Sequence, residues 1–173
     1  MKVGTDGVLL GAWSKAIEGN VLDIGTGTGL IALMLAQRTK IALIDAIEID
    51  EAASKEAQNN FNNSDWKERL ISINSSLQDF HPQKKYDLII SNPPFFINAT
   101  KAPEANRNNA RHTDNLSFDE LLSSVNRLLA DTGIFSLILP INEANHFIEL
   151  ALQSKFYLNR KCLVKPNPTK AAK

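Results

Sequence analysis

The chain has 173 residues, of which 43% are hydrophobic and 22% charged, and its formal net charge is zero. That size and apolar content allow one domain with a real core, and no run of about 18 apolar residues is present to form a helical membrane span. No basic-then-apolar signal segment opens the chain. The single cysteine, Cys162, excludes an internal disulfide framework and fits a reducing, cytoplasmic compartment, and His81, His112 and His146 are too scattered to bind a metal.

In chain order, residues 21–24 read as a short apolar strand and 30–37 as a helix rich in Leu, Ala and Met. Residues 41–49 are again strand, 51–60 a polar-faced helix, 70–73 a third strand, and the apolar run from Tyr86 to Ser91 a fourth, buried strand. Residues 118–129 place apolar side chains at 118, 121, 122, 125, 128 and 129, which is helical spacing. Ser117 is the predicted N-cap, with Glu120 three residues on completing a capping box. Residues 133–141 predict a fifth strand, 142–152 a helix, and 158–164 a possible sixth strand. Repeated β-α alternation predicts an α/β fold: an open, mostly parallel sheet with helices on both faces. No internal repeat is present.

Two stretches stand apart from this alternation. Residues 98–115 are polar and aperiodic, and loops of that length in compact domains are usually functional or disordered. They follow the fourth strand directly, as a lid or substrate loop carrying Arg107, Arg111 and His112, or as an insertion with incidental charge. The end of the chain holds Lys155, Arg160, Lys161, Lys165, Lys170 and Lys173 with no acid among them, while 48–68 leans acidic. The basic end reads either as a phosphate contact or as a solvated tail.

The most informative residues are Asn92-Pro93-Pro94-Phe95, which end the fourth strand. Neither proline has an N–H to continue the ladder. What remains is acceptor-rich, the Asn92 side-chain oxygen and the neighbouring carbonyls, with the Phe95 ring following at once. Such a cluster suits a flat group bearing an –NH₂: the carbonyl oxygens accept from the amine and the ring covers the plane. It is a candidate site for chemistry on an amide or nucleobase nitrogen.

Asp23-Ile24-Gly25-Thr26-Gly27-Thr28-Gly29 lies between the first strand and its helix. Glycines there permit positive φ and close approach of a ligand to the backbone. The spacing is Gly-x-Gly-x-Gly, one residue short of the dinucleotide fingerprint, and the Gly-Lys-Ser/Thr of a Walker loop is absent. Asp23 repels phosphate but suits an ammonium or sulfonium group. Glu48 ends the second strand, where a carboxylate takes both hydroxyls of a ribose. Loop, strand-end acid and sheet order together predict a nucleoside ligand without phosphates, and S-adenosylmethionine fits. The alternative is that Asp23 and Glu48 are helix-capping or surface acids.

These residues resemble the class I S-adenosylmethionine-dependent methyltransferases of the amino-methylating kind. Asp23 to Gly29 is similar to their first motif and Asn92 to Phe95 to their fourth. The opening Lys2-Val3-Gly4-Thr5-Asp6-Gly7, the Arg111-His112-Thr113-Asp114 stretch and Phe135 to Pro140 resemble the bacterial tRNA1(Val) adenine N(6)-methyltransferase family. The resemblance implies a Rossmann-like methyltransferase fold and methylation of the exocyclic amine of adenine 37 in a valine tRNA. It implies cofactor contacts at Thr5, Asp6, Asp23, Gly25, Gly27, Gly29, Glu48 and Asn92, and catalytic roles for Asn92, Pro93 and Phe95. Pro94, Arg107, Arg111 and His112 are candidate substrate contacts.

Thr5 and Asp6 close over the methionine end of the cofactor in this reading, or serve as the N-cap of a helix from Gly7 to Lys15. Members of the family usually start some tens of residues earlier and run on into a seventh, antiparallel strand. The expectation is therefore one methyltransferase domain over 1–173, shortened at both ends and lacking the final strand, whose activity is in question for that reason. Competing readings are N(5) methylation of a protein glutamine, methylation of a guanine amine in ribosomal RNA, and a non-catalytic scaffold that kept the fold. Trp13 and Trp66 read as packing residues and Cys162 as a small core or edge residue. No metal or membrane partner is expected, and the charge pattern favours a monomer.

Overall fold

The computed structural model describes residues 4–93, 116–165, 167, 169 and 170. Five strands, β1 (Asn20–Ile24), β2 (Leu43–Glu48), β3 (Leu70–Asn74), β4 (Tyr86–Ser91) and β5 (Leu129–Leu137), form one all-parallel sheet in the order β3-β2-β1-β4-β5. Among the described residues five α-helices accompany them, α1 (Thr5–Trp13), α2 (Leu30–Arg38), α3 (Glu51–Asn62), α4 (Phe118–Leu128) and α5 (Ile141–Gln153), with a short 3-10 helix at Lys67–Arg69. Among the described residues no helix is long and apolar enough to cross a membrane.

The contacts divide the chain into two compact units, the first holding residues 1–93 and 124–139, the second 94–123 and 140–173. In the first unit, Val21, Leu22, Ile44, Leu88, Ile89 and Ile90 are almost completely buried. Strands buried on both faces need a continuous apolar run instead of an alternating one; Leu88-Ile89-Ile90 of β4 is one, while in β1 the buried Asp23 interrupts it. The chain winds outward from β1 through β2 to β3, then returns to place β4 on the other side of β1. The reversal makes the carboxyl ends of β1 and β4 the point where open α/β sheets bind ligands.

In the second unit Phe118 meets Phe147 edge-on, with ring centroids 5.1 Å apart. The predicted capping box forms: the Glu120 N–H donates to Ser117 Oγ, and the Ser117 N–H donates to Glu120 Oε2 at 2.8 Å. The Ser117 N–H and the Ser117 hydroxyl, both donating to Glu120 Oε2, hold the Glu120 carboxyl below the usual range.

β5, residues 158–164 and Cys162 differ from the sequence expectation. β5 begins at Leu129, directly after α4, because the register slips between Tyr86↔Leu129 and Leu88↔Ile134. The extra residues bulge out around Gly133, where a Cβ would lie 2.9 Å from the Tyr86 carbonyl oxygen. Residues 158–164 form no strand: they are exposed and pair with none of the five strands, and an isolated extended segment has no ladder to hold it. Cys162 within them is exposed and not a core residue.

Candidate functional site

The glycine loop and the Asn92-Pro93 end of β4 are neighbours because β1 and β4 pair in register, Ile24 opposite Ser91. Ser91 fastens the two ends, its hydroxyl donating to the Ile24 carbonyl at 3.0 Å. Asn92 follows partly exposed and Pro93 buried. The first turns of α1 come close: a Cβ on Gly7 would sit 3.8 Å from Asn92 Nδ2. Pro94, Phe95, Arg107, Arg111 and His112 lie outside the described residues.

After Ile24 the chain crosses toward β2, and the Gly25 and Thr26 N–H groups donate to the Ile47 carbonyl at 3.0 and 3.1 Å. Gly25, Gly27 and Gly29 all have positive φ, at 68°, 59° and 88°. The three glycines of the motif are thus a conformational requirement. At Gly29 a second constraint applies, since a Cβ would lie 2.8 Å from Phe61 Cζ. Phe61 of α3 is fully buried beneath the loop, and Asn60 beside it donates from Nδ2 to the Thr28 carbonyl at 2.9 Å. Gly29→Ala therefore combines left-handed strain with overpacking, a loss of roughly 2–4 kcal/mol. Urea unfolding should show it, with part recovered in Gly29→Ala/Phe61→Leu; an unchanged midpoint would remove the constraint.

Two acids lie buried in the sheet, and their surroundings differ. Asp45 accepts from the Tyr86 hydroxyl at 2.6 Å and pairs with Lys84 Nζ at 2.9 Å, so it is a satisfied structural acid. Asp23 is completely buried, and its Oδ2 accepts from Thr26 Oγ1 at 2.6 Å. Its Oδ1 has no hydrogen bond. Burial pushes this carboxyl up to about 7; the Thr26 hydroxyl and the Ala32 N–H pull it down, and the negative Glu48 raises it further. A buried half-satisfied carboxylate is costly unless something else completes it.

Glu48 ends β2 as expected and is partly buried. Its Oε2 accepts from the Gly27 N–H at 2.8 Å and its Oε1 from the Asp50 N–H at 3.0 Å. Each oxygen thus keeps one lone-pair position, the number two vicinal hydroxyls need. Asp50 is the N-cap of α3 through the Ala53 N–H, so the helix-capping alternative belongs to Asp50 and not to Glu48. Thr5 and Asp6 are not N-caps either: Gly4 occupies that position without a side-chain bond. The helix starts two residues earlier than predicted, which puts Asp6 in the first turn, where the positive end of the helix dipole favours it.

Sequence reasoning missed Thr26, Ser91 and Asn60, which hold the site's backbone in place. Thr26 had a visible signal, a hydroxyl set between two loop glycines and three residues after the strand acid.

This sheet order, with the glycine loop and the β4 end meeting at the reversal, defines a Rossmann-like methyltransferase fold. The family profile described as methyltransferase small domain matches residues 3–139. Among solved structures, a glycopeptide N-methyltransferase, MtfA, complexed with (S)-adenosyl-L-methionine superposes with a TM-score of 0.57 at 16% identity. The match covers 79% of this chain and 51% of that one, about half its length.

The protein belongs to the family of bacterial tRNA1(Val) (adenine(37)-N6)-methyltransferases. The member from Flavobacterium psychrophilum is 46% identical, over 100% of this chain and 76% of its own length. That from Parabacteroides distasonis is 47% identical, over 97% of this chain and 72% of its own length.

Proposed function

We propose that this chain, in the cytoplasm, methylates the exocyclic N6 amine of adenine 37 in a valine tRNA, with S-adenosylmethionine as donor. The observation that carries the reading is the register of β1 on β4, which sets Asn92-Pro93 beside the glycine loop and Asp23.

The residues present fit the donor. Asp23, with its vacant Oδ1, suits the ammonium of the amino-acid end, and Glu48, with one position left on each oxygen, suits the ribose hydroxyls. At Gly25 a Cβ would meet nothing within 4 Å, so the exposed loop backbone is open to a ligand. Thr5 and Asp6 open α1, the helix whose Gly7 lies near Asn92. When bound, S-adenosylmethionine supplies an electrophilic methyl group on its sulfonium.

The chain's own task is to present the amine. An adenine amine is a weak nucleophile because its lone pair is delocalised into the ring. The Asn92 side-chain oxygen and the Pro93 carbonyl accept its two hydrogens, which localises the lone pair on nitrogen. The same oxygens disperse the positive charge that develops on nitrogen as it takes the methyl group, whose bond to sulfur breaks to leave a neutral thioether. The surplus proton then leaves to water. Phe95, two residues further along the sequence, is the ring proposed to stack on the base, which must be splayed out of its loop to enter.

A labelled-methyl transfer assay compares a valine tRNA transcript, the same transcript with adenine 37 replaced by guanine, and a glutamine-containing release-factor peptide. Label in the first alone is the expected result. Label in the peptide alone replaces the substrate with a protein, and no transfer at all with the donor still bound makes the chain a scaffold.

A further inference from the structure

Charge is segregated in this chain. Residues 1–153 hold thirteen basic against nineteen acidic residues, while 154–173 hold six basic and none acidic. Residues 1–153 of a chain whose proposed substrate is a polyanion are therefore net negative, and the basic charge that balances them within these 173 residues is concentrated after α5. The segment 157–165 is exposed at every residue and has no regular structure, and Tyr157 is 80% exposed. Lys161 reaches back to α5, where its Nζ donates to the neutral Asn145 Oδ1 at 3.1 Å.

The first residue of this segment is an outlier. Lys155 has φ of 65°, the one non-glycine positive φ among the described residues. It ends α5 in a Schellman arrangement, with the Lys155 N–H on the Leu152 carbonyl at 3.0 Å and the Phe156 N–H on the Ala151 carbonyl at 2.8 Å. Glycine is the usual occupant of that position. The chain holds a lysine there at a conformational cost, which points from the outlier to a use for the charge.

We infer that the basic segment after α5, with Lys155, Lys161, Lys165 and Lys170 as its exposed charges and Tyr157 as its exposed ring, is a surface that binds RNA phosphates. The inference rests on the tRNA reading above. Basic side chains along an exposed, irregular backbone with an aromatic between them are the elements of a phosphate-tracking, base-stacking contact. An anionic membrane is a poorer partner: Leu158 and Leu163 are exposed but share no helical face, and interfacial binding needs an amphipathic helix.

The test measures binding of the full chain to a valine tRNA transcript by fluorescence anisotropy over a series of KCl concentrations. Lys161→Gln/Lys165→Gln/Lys170→Gln should lower the slope of log affinity against log salt by about 2, at 0.7–0.9 per phosphate contact. Affinity at low salt should fall about tenfold or more, with S-adenosylmethionine affinity and kcat at saturating tRNA unchanged. Lys155→Gly should weaken RNA binding while holding or raising Tm, a combination that a purely structural lysine would not give. A slope equal to that of the parent chain, or binding transferred to anionic lipid vesicles, overturns the inference and leaves tRNA methylation standing. A parent chain that binds the transcript with a steep slope but transfers no methyl to it overturns the proposed function and keeps the surface.

Discussion

Asn92→Ala should lose roughly 10²–10³ in methyl-transfer turnover, the scale of removing one preorganised polar contact to a developing charge. S-adenosylmethionine affinity, followed by calorimetry, should change only a few-fold. Ser91 Oγ on the Ile24 carbonyl fixes the end of β4 against the end of β1, and the buried Pro93 fixes the chain on the other side. Asn92 is held between the two, with its side chain only partly covered. Removing that side chain takes away one of the two proposed acceptors for the amine hydrogens while leaving the backbone that positions the other. The fold should survive, because no described element depends on the Asn92 amide. Asn92→Asp is the companion variant: it keeps an acceptor of the same reach but adds a charge, and should retain more turnover than alanine. Wild-type turnover in Asn92→Ala would remove the residue from the chemistry.

The parts of this site legible in the sequence are those set by backbone chemistry. Pro93 and Pro94 end a ladder whatever surrounds them, and Gly25, Gly27 and Gly29 are needed wherever φ must be positive. The order β3-β2-β1-β4-β5 was legible only as a class, since alternation implies a parallel sheet without saying which strand lies beside which. Glu48 was placed correctly at a strand end, yet its bonds to Gly27 and Asp50 depend on how the loop folds back over β2, which no local spacing encodes. The same limit explains Ser91 and Asn60, whose partners lie 67 and 32 residues away, whereas the partner of Thr26 lies only three residues back. Residues 158–164 failed in the other direction. Their apolar pattern is strand-like, but a strand exists only where a neighbour offers a ladder.

Asp23 supplies the second large effect, a pH dependence of unusual sign. Most carboxylates are stabilised as anions by folding, and they add stability that is lost as pH falls; the lowered Glu18, Glu51 and Glu120 follow that pattern. Asp23 is raised from 3.8 to about 7. Below pH 4 it is protonated both folded and unfolded and contributes no pH dependence. Between pH 4 and 7 the unfolded chain releases this proton while the folded chain keeps it, so stability falls as pH rises. The full loss, with 1.36 kcal/mol per unit, is about 4 kcal/mol by pH 7. Asp23→Asn keeps the shape and a hydrogen-bonding side chain but cannot ionise. Subtracting its stability profile from that of the parent chain isolates the one carboxyl from every other titrating group. The difference should grow across pH 4–7 and level off above it. Ligand binding reverses the balance: a cation beside Oδ1 favours the anion, so S-adenosylmethionine affinity should rise with pH up to about 7, by up to tenfold per unit. That rise should be absent in Asp23→Asn. Parallel stability profiles for the two chains, or a parent affinity that does not change with pH, would show that Asp23 is ionised throughout and that its vacant oxygen is completed by something other than the donor.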